Sequence, residues 1–446
     1  MPTNAPADKA HPGVPPPRNL TRVFRNRNFL RLYLAGAGST SGRVIGGVAI
    51  NWIVYTTTGS ALDVAIVGMV NLAAVVLLSL PAGVWVDRYD RKRIMVFSDV
   101  VRAASVGGLS LVFFLRGFDL PLVLLVVFVS SGVSGLFNPA EQSILPSIVA
   151  RDEIADANGV VQSSRSVISL VASSVAGALL LVSGAALSLF YNSLTYILSA
   201  LLVFSVSLAP VVRKGGARGP SAPKSKMTRE IVEGWRWLLS ARGLFQLSIS
   251  ALFMNFFNTL FSTFMVIYVV AGLHQTNPLA YGLFLAVATM GGALGSLLVG
   301  RTAAVRYAGK VWVLGYGVSC GALLFVLGAL HNVWYATPIM FVYELMLQFS
   351  GNTWLTTAQR VVPEEMRGRY FSLDGVLSYG VMPVSQLVGG LLITLHGVNL
   401  ALEIGGVGLL LSGLFAMLGR DLWRLDGTVA TPGPTATATP TPTPKA

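Results

Sequence analysis

Long apolar runs, each about as long as a bilayer is thick, alternate with short polar stretches along almost the whole chain. A membrane-spanning helix needs about 20 mostly apolar residues, and twelve runs reach that length before charges, prolines or glycines end them. The pattern therefore predicts an all-α polytopic membrane protein with twelve transmembrane helices. We place them near Phe29–Tyr55, Leu62–Val86, Ile94–Leu115, Leu120–Phe137, Asn158–Val182, Leu187–Ala209, Leu244–Ala271, Leu279–Val299, Val311–Leu330, Trp334–Leu355, Tyr370–Leu395 and Ala401–Leu418.

Composition and charge agree with a membrane protein. The 446 residues are 53% hydrophobic and only 11% charged, whereas a soluble protein has about 25% charged residues. A net charge of +13 would suggest nucleic acid as the partner of a soluble chain. Here, however, all 32 Lys and Arg residues except Arg43, Arg102, Arg116 and Arg165 fall on one side of the predicted spans. The positive-inside rule places that side, with both termini, in the cytoplasm, and no nucleic acid is expected.

A basic stretch divides the spans into two groups of six. We predict a cytoplasmic arm over residues 1–28, one six-helix bundle over 29–210 and a linker with a surface helix over 211–242. A second bundle follows over 243–420, and a disordered Thr/Pro-rich tail over 421–446. The bundles echo each other, since VAGALL in the fifth span matches LVGGLL in the eleventh. Two such pseudo-symmetric bundles around a midplane site are a known plan of transporters.

Polar side chains lie inside several predicted spans. An ionisable group in mid-membrane is costly, so its presence points to function. Arg43 lies halfway along the first span and Glu344 halfway along the tenth, and each shares its helix face with other polar residues. We predict a substrate and coupling cavity lined by Arg43, Asn51, Tyr55, Asn255, Asn258, Glu344 and Gln348.

Two interpretations of Arg43 and Glu344 are open. In the first, they face each other or the substrate across the cavity, and protonation of Glu344 is coupled to substrate release. In the second, they form a structural ion pair that locks the two halves together. Asp99 and Arg102, three residues apart, are expected to form a local pair, and Arg165 is expected to serve the loop beneath the fifth span.

One loop carries a recognisable motif. The segment GVWVDRYDRKR, Gly83–Arg93, resembles the signature G-x-x-x-D-R-x-x-R-[KR] between the second and third helices of the major facilitator superfamily. The surrounding sequence, NPAEQSILP included, resembles the drug and siderophore efflux branch, with its macrolide-efflux and enterobactin-exporter proteins. The resemblance implies a secondary transporter in the bacterial plasma membrane that exports small amphipathic organic compounds at the expense of the proton gradient. An importer or uniporter of a small metabolite, or a non-transporting sensor or scaffold, are the alternatives.

The same motif implies a gating latch on the cytoplasmic side. A glycine permits close helix approach, and an aspartate at a helix end is suited to face the positive N-terminal end of another helix. The arginines that follow are suited to pair with acids at the start of the eleventh span. We expect a latch built from Gly83, Asp87, Arg88, Arg91 and Asp374, although Asp374 could instead titrate during transport.

Other function classes find no support in the sequence. It contains no His-Glu metal motif, no nucleophile elbow and no phosphate-binding loop, so an enzyme is not expected. The single cysteine, Cys320, cannot form a disulfide or a thiolate metal cluster within one chain. We expect a monomer with no metal and no cofactor, whose partners are a small-molecule substrate, protons and the lipid bilayer.

Overall fold

The computed structural model describes residues 23–150, 153–207, 227–299 and 301–426, and within these ranges the chain forms helices and no strands. One long helix, Ile154–Phe204, is broken at Gly184 by a left-handed φ of 74°, and its two arms are called α5 and α6. The other helices are α1 Arg27–Thr58, α2 Ala61–Arg88, α3 Arg91–Arg116, α4 Leu120–Ile144, α7 Arg242–Ser262, α8 Pro278–Val299, α9 Val311–Ser319 with Cys320–Ala329, α10 Val333–Val361, α11 Glu364–Tyr379 with Met382–His396, and α12 Val398–Met417.

The described residues contain nine stretches that are helical, long and apolar enough to cross a membrane. One of them, Val167–Phe204, has 38 residues, enough for two crossings joined at the break. Helices α1 and α10 are not among the nine, but with 32 and 29 residues they are long enough to cross. They are also the helices that carry Arg43 and Glu344. An all-helical polytopic membrane protein is confirmed, and the count of twelve spans stays a prediction that these lengths support.

Side-chain caps fix where several helices begin. The Asn26 side chain accepts hydrogen bonds from the backbone N–H groups of the first turn of α1, and Ser60 accepts one at the start of α2. Asp90 caps α3, since its Oδ1 accepts from the Arg93 N–H at 2.9 Å. These side chains satisfy N–H groups that have no partner within the helix. Asp90 belongs to the DRYDRKR motif, which therefore begins a helix in addition to any gating role.

Helix α4 is longer than predicted, and the predicted end at Phe137 was wrong. The helix continues to Ile144 and contains Pro139, although proline usually ends a helix. The Ser143 hydroxyl donates to the Pro139 carbonyl at 2.6 Å, within this last part of the helix. The extension moves Glu141 from a predicted loop into a helix.

The first half is held together by a buried ion pair. Arg102 and Asp99 of α3 lie 2.6 Å apart with almost no exposure, and Ser199 of α6 donates to the second Asp99 oxygen at 2.7 Å. The guanidinium lies between the rings of Phe137 and Tyr196, 4.3 and 4.6 Å from their centres, where cation–π attraction adds to the pairing. The predicted local pair is present, and it joins α3 to α4 and α6.

The surface helix predicted in the linker is formed by Met227–Ser240. Its Trp237 is buried and meets the ring of Tyr370 edge to face, and its Glu233 pairs with Arg369 at 3.1 Å. The helix therefore packs on the first part of α11, and its place on the membrane surface stays a prediction. The rest of the predicted linker, most of the N-terminal arm and most of the Thr/Pro-rich tail lie outside the described residues.

Removing one member of the buried pair should be costly. We expect Asp99→Ala to lower the free energy of unfolding by about 3–5 kcal/mol, because it leaves the Arg102 charge buried without its carboxylate. Thermal denaturation of the purified protein in detergent measures this as a fall in Tm. The double change Asp99→Ala with Arg102→Met should recover most of the loss, and an unchanged Tm for Asp99→Ala alone would contradict the assigned role.

Candidate functional site

The two ends of the molecule differ in how the halves meet. We call the end that carries Gly59 and Gly397, between α1 and α2 and between α11 and α12, the outer end. The end that carries Val23 is the inner end. The charge distribution predicts that the outer end faces the exterior and the inner end the cytoplasm.

A first cavity of about 520 Å³ lies between α1, α4 and α5. On one side the Tyr33 hydroxyl donates to Ser164 Oγ at 2.8 Å. On the other, Arg165 Nη2 lies 2.5 Å from Glu141 Oε2. Gly36 faces this ion pair, since a Cβ there would lie 3.0 Å from Glu141 Oε1. Residues at the inner ends of α4 and α5 complete the wall, so the cavity extends toward the inner end.

A second cavity of about 360 Å³ lies between the two halves, with α5 on one side and α8 and α10 on the other. Glu344 and Gln348, one helical turn apart, come from α10, and Thr289 comes from α8. Gly292 leaves space for them, since a Cβ there would lie 3.0 Å from Gln348 Cγ and 3.6 Å from Glu344 Oε2. Arg165 lines this cavity as well as the first. The predicted pair Glu344 and Gln348 thus lies at an inter-half cavity.

Arg43 lies two helical turns beyond Gly36 on the same face of α1, and its side chain is exposed. Gly36 lines the first cavity, so Arg43 lies on the same side of α1 as that cavity, but it lines neither of the two cavities. Among the hydrogen bonds and ion pairs of the described residues, none joins Arg43 to Glu344. The interpretation of a structural ion pair locking the halves has no support in this conformation.

The two asparagines of α7 tie helices together within the second half. Asn255 Nδ2 donates to the Ser378 carbonyl of α11 at 2.9 Å, and its Oδ1 accepts from the Tyr316 hydroxyl of α9 at 2.8 Å. Asn258 Oδ1 accepts from the Tyr343 hydroxyl of α10. Both side chains are buried, and neither lines the two cavities described above. These hydrogen bonds between helices account for the two polar side chains on α7. In this conformation the structure therefore does not place Asn255 and Asn258 in either cavity.

Asp374 also makes its bonds inside the second half. Its Oδ1 accepts from Ser248 Oγ of α7 at 2.6 Å and from Ser378 Oγ at 3.1 Å. The carboxyl is buried and joins α11 to α7 rather than to α2. In this conformation Asp374 therefore stabilises the second half and is not placed in a latch between the halves.

The remaining latch residues are described only in part. Gly83 and the side chains of Asp87 and Arg88 lie outside the part of the chain whose surroundings the structure describes. Arg91 donates from Nη1 to the Ser143 carbonyl near the end of α4 at 2.8 Å, a contact within the first half. The latch stays a prediction, and in this conformation the Arg91 side chain joins the start of α3 to the end of α4.

Asn51 and Tyr55 belong to the outer part of α1 and are half-buried. Between them, Trp52 stacks on Tyr281 of α8, with ring centres 5.8 Å apart and an angle of 26° between the planes. This stack joins the two halves near the outer end. Neither Asn51 nor Tyr55 lines the two cavities described above, so the structure separates these residues from Glu344 and Gln348.

Glycines bring the halves into backbone contact at the outer end. A Cβ on Gly177 of α5 would lie 2.6 Å from the Pro278 carbonyl at the start of α8. A Cβ on Gly390 of α11 would lie 2.6 Å from Ala65 Cβ of α2. Side chains at either position would force the helices apart. The two contacts belong to the echoed segments VAGALL and LVGGLL, and together with the stack on Tyr281 they close the outer end in this conformation.

Glu141 is the site residue that the sequence did not reveal. It lies beyond the predicted end of the fourth span at Phe137, and its partner Arg165 was expected to serve the loop beneath the fifth span. In the structure the two form an ion pair between α4 and α5. A signal was present, since Ser130, Ser134 and Glu141 follow at steps of four and seven residues and share one face of α4. Extending that stripe past Pro139 would have found Glu141.

Comparison with known proteins gives one consistent result. A family model described as "Transmembrane secretion effector" matches residues 21–429. The multidrug efflux pump Tap of Mycolicibacterium fortuitum is 26% identical over 91% of this chain and 99% of its own length. Macrolide efflux protein A of Streptococcus pyogenes is 22% identical over 89% and 98%, respectively. Among solved structures, a D-xylose–proton symporter has a TM-score of 0.69 at 14% identity, covering 90% of this chain and 99% of that one, and so shares the fold.

The exposure of Arg43 can be tested by labelling. In a Cys320→Ser background, we expect Arg43→Cys to react with a water-soluble maleimide added to the medium around inside-out vesicles, where the inner end faces the reagent, because a thiol needs water to ionise and react. Leu34→Cys, on the opposite, exposed face of α1, is the matched control and should stay unlabelled. Labelling of Leu34→Cys but not of Arg43→Cys would place Arg43 in lipid and remove it from the cavity.

Proposed function

The chain belongs to the transmembrane secretion effector family of the major facilitator superfamily, and from this premise we propose that it is a proton-coupled exporter of small amphipathic organic compounds. Candidate substrates are drugs such as macrolides, or siderophores. The mechanism is alternating access, in which one cavity opens to each side of the bacterial plasma membrane in turn. Both termini lie in the cytoplasm, as the distribution of Lys and Arg predicts.

The observation that carries this proposal is the inter-half cavity with Glu344 in its wall. A carboxyl in mid-membrane is stable in its ionised form only when water or a counter-charge meets it, so its protonation state depends on which side the cavity faces. A group that binds a proton from one side and releases it to the other meets the minimum requirement for coupling. The efflux function of Tap and of macrolide efflux protein A supports the outward direction of substrate movement.

The cavity walls are suited to a mixed ligand. Met265, Leu285 and Ala288 offer apolar surface, while Gln348 and Thr289 offer hydrogen-bonding groups. Such a combination orients a ligand through a few polar contacts and gains affinity from apolar burial. Amphipathic organic compounds fit this description better than a sugar, which would need many more polar partners.

Transport by reconstituted protein tests the proposal directly. In vesicles with an imposed pH gradient, we expect wild-type protein to extrude preloaded erythromycin, ethidium or enterobactin, and Glu344→Gln to abolish the gradient-driven flux. Exchange of labelled for unlabelled substrate should persist in Glu344→Gln, because binding and the conformational change do not require the carboxyl to titrate.

The matched control is Glu403→Gln. Glu403 lies on α12 and packs against α9 near Gly328, so its loss removes a glutamate from a span without touching the cavity. It should transport like wild type. Gradient-driven flux that is equal in Glu344→Gln and wild type would exclude Glu344 as the coupling group, and flux that ignores the gradient in wild type would exclude proton coupling.

A further inference from the structure

Arg165 occupies the wall between the two cavities. It lines the first cavity within the first half and the second cavity between the halves. Its guanidinium lies 2.5 Å from the Glu141 carboxylate, yet 36% of the Arg165 side chain is exposed, against 10% for Glu141. The acid is fixed in the helix packing, whereas the base can be approached from a second direction.

The second direction leads to Glu344, across the inter-half cavity. Among the described residues, the elements packed against α10 place no other cation near Glu344. Helix α8, Pro278–Val299, contains no charged residue, and the ionisable groups of α9 near this level are Cys320 and Tyr316, which are neutral at physiological pH. Lys310, directly before α9, lies at the inner end against aromatic rings, and Arg43 of α1 borders neither cavity.

Arg165 therefore lies between two carboxylates, Glu141 at the first cavity and Glu344 at the second. An ionised carboxylate away from bulk water is strongly stabilised by a guanidinium, and a protonated one is not. Arg165 can therefore distinguish the two protonation states of Glu344. Its helix, α5, meets α8 at the outer end through Gly177 and Gly282, so a rocking motion about that contact would change the distance from Arg165 to Glu344.

We propose that Arg165 exchanges partners between Glu141 and Glu344 and so converts the ionisation of Glu344 into closure of the inner end. This inference rests on the proposed role of Glu344 as the proton carrier. When Glu344 is ionised, Arg165 bridges to it and draws α5 toward α10, which closes the inner end. When Glu344 is protonated, Arg165 returns to Glu141 and the inner end opens. Arg165 is a positioning residue in this scheme and need not touch the substrate.

The direction of the exchange suits export. The carrier releases its proton to the cytoplasm, closes the inner end with Glu344 ionised, and exposes its cargo to the exterior. Protonation from the exterior then releases Arg165 and returns the carrier to the inward-facing form. The proton gradient thus drives the return step, and the compound leaves with the ionised carrier.

Distance measurement at the inner end tests the exchange without any substrate. Spin labels at Ser147→Cys after α4 and Gln359→Cys on α10, both exposed positions, report opening of the inner end in full-length Cys320→Ser protein in lipid nanodiscs. We expect the wild-type distance to shorten as the pH rises through the titration of Glu344. Glu141→Gln should raise the ratio of closed to open forms by about tenfold at alkaline pH, because the competing carboxylate is gone.

A charge swap controls for folding. Glu141→Arg with Arg165→Glu keeps an ion pair inside the first half but presents a carboxylate to Glu344, so pH-dependent closure should disappear while Tm stays near that of wild type. Glu403→Gln should behave like wild type. A closed-to-open ratio with the same pH profile in the swapped protein would overturn the proposal, as would no increase in Glu141→Gln.

The measurement is separable from the proposed function. If no compound is transported but the pH-dependent closure requires Arg165, the exchange stands and the export assignment fails. If transport is proton-driven but closure is unaffected by the swap, the export assignment stands and the exchange is wrong.

Discussion

The cost of a charge inside the bilayer governs this structure. Each charged group that the described spans carry at depth must find a counter-charge, a set of hydrogen bonds or water. Asp99 and Arg102 meet this demand by pairing beneath two aromatic rings, and Asp374 meets it with two serine hydroxyls. Glu344 is accommodated differently, because it lies in the wall of a cavity between the halves. The buried charges therefore fall into two kinds. Asp99, Arg102 and Asp374 hold helices together within one half, whereas Glu344 lies where a change of conformation would alter its surroundings.

The proposed alternating access requires two rigid halves joined by an interface that can separate. Within the second half, Asn255 and Asn258 join α7 to three other helices, and within the first half the pair on α3 joins α4 and α6. Between the halves, the described contacts are of another kind, with glycines that allow close approach of the helices and one aromatic stack at the outer end. Contacts without interlocking hydrogen bonds can separate at little cost, which is what alternating access requires.

Much of the fold could be predicted from the sequence, because hydrophobic length and the distribution of Lys and Arg act over whole helices. Most predicted spans agree with the helices within a few residues, and the pair Asp99 and Arg102 was predicted from spacing alone. The site was harder. Asn255 and Glu344 present the same signal, a polar residue in an apolar helix, yet one ties helices together and the other lines a cavity. Which neighbour a stripe meets depends on the packing of distant segments, and the extension of α4 past Pro139, which makes Glu141 a partner of Arg165, is likewise a tertiary effect.

The central claim is that one cavity between two rigid halves opens alternately to the two ends. The most direct test measures both ends of the same protein in lipid, with one spin-label pair at the inner end and another at Thr57→Cys and Thr276→Cys at the outer end. Alternating access predicts that conditions which shorten the inner distance lengthen the outer one. An outer distance that stays fixed, or shortens together with the inner distance, while the protein is transporting would contradict it.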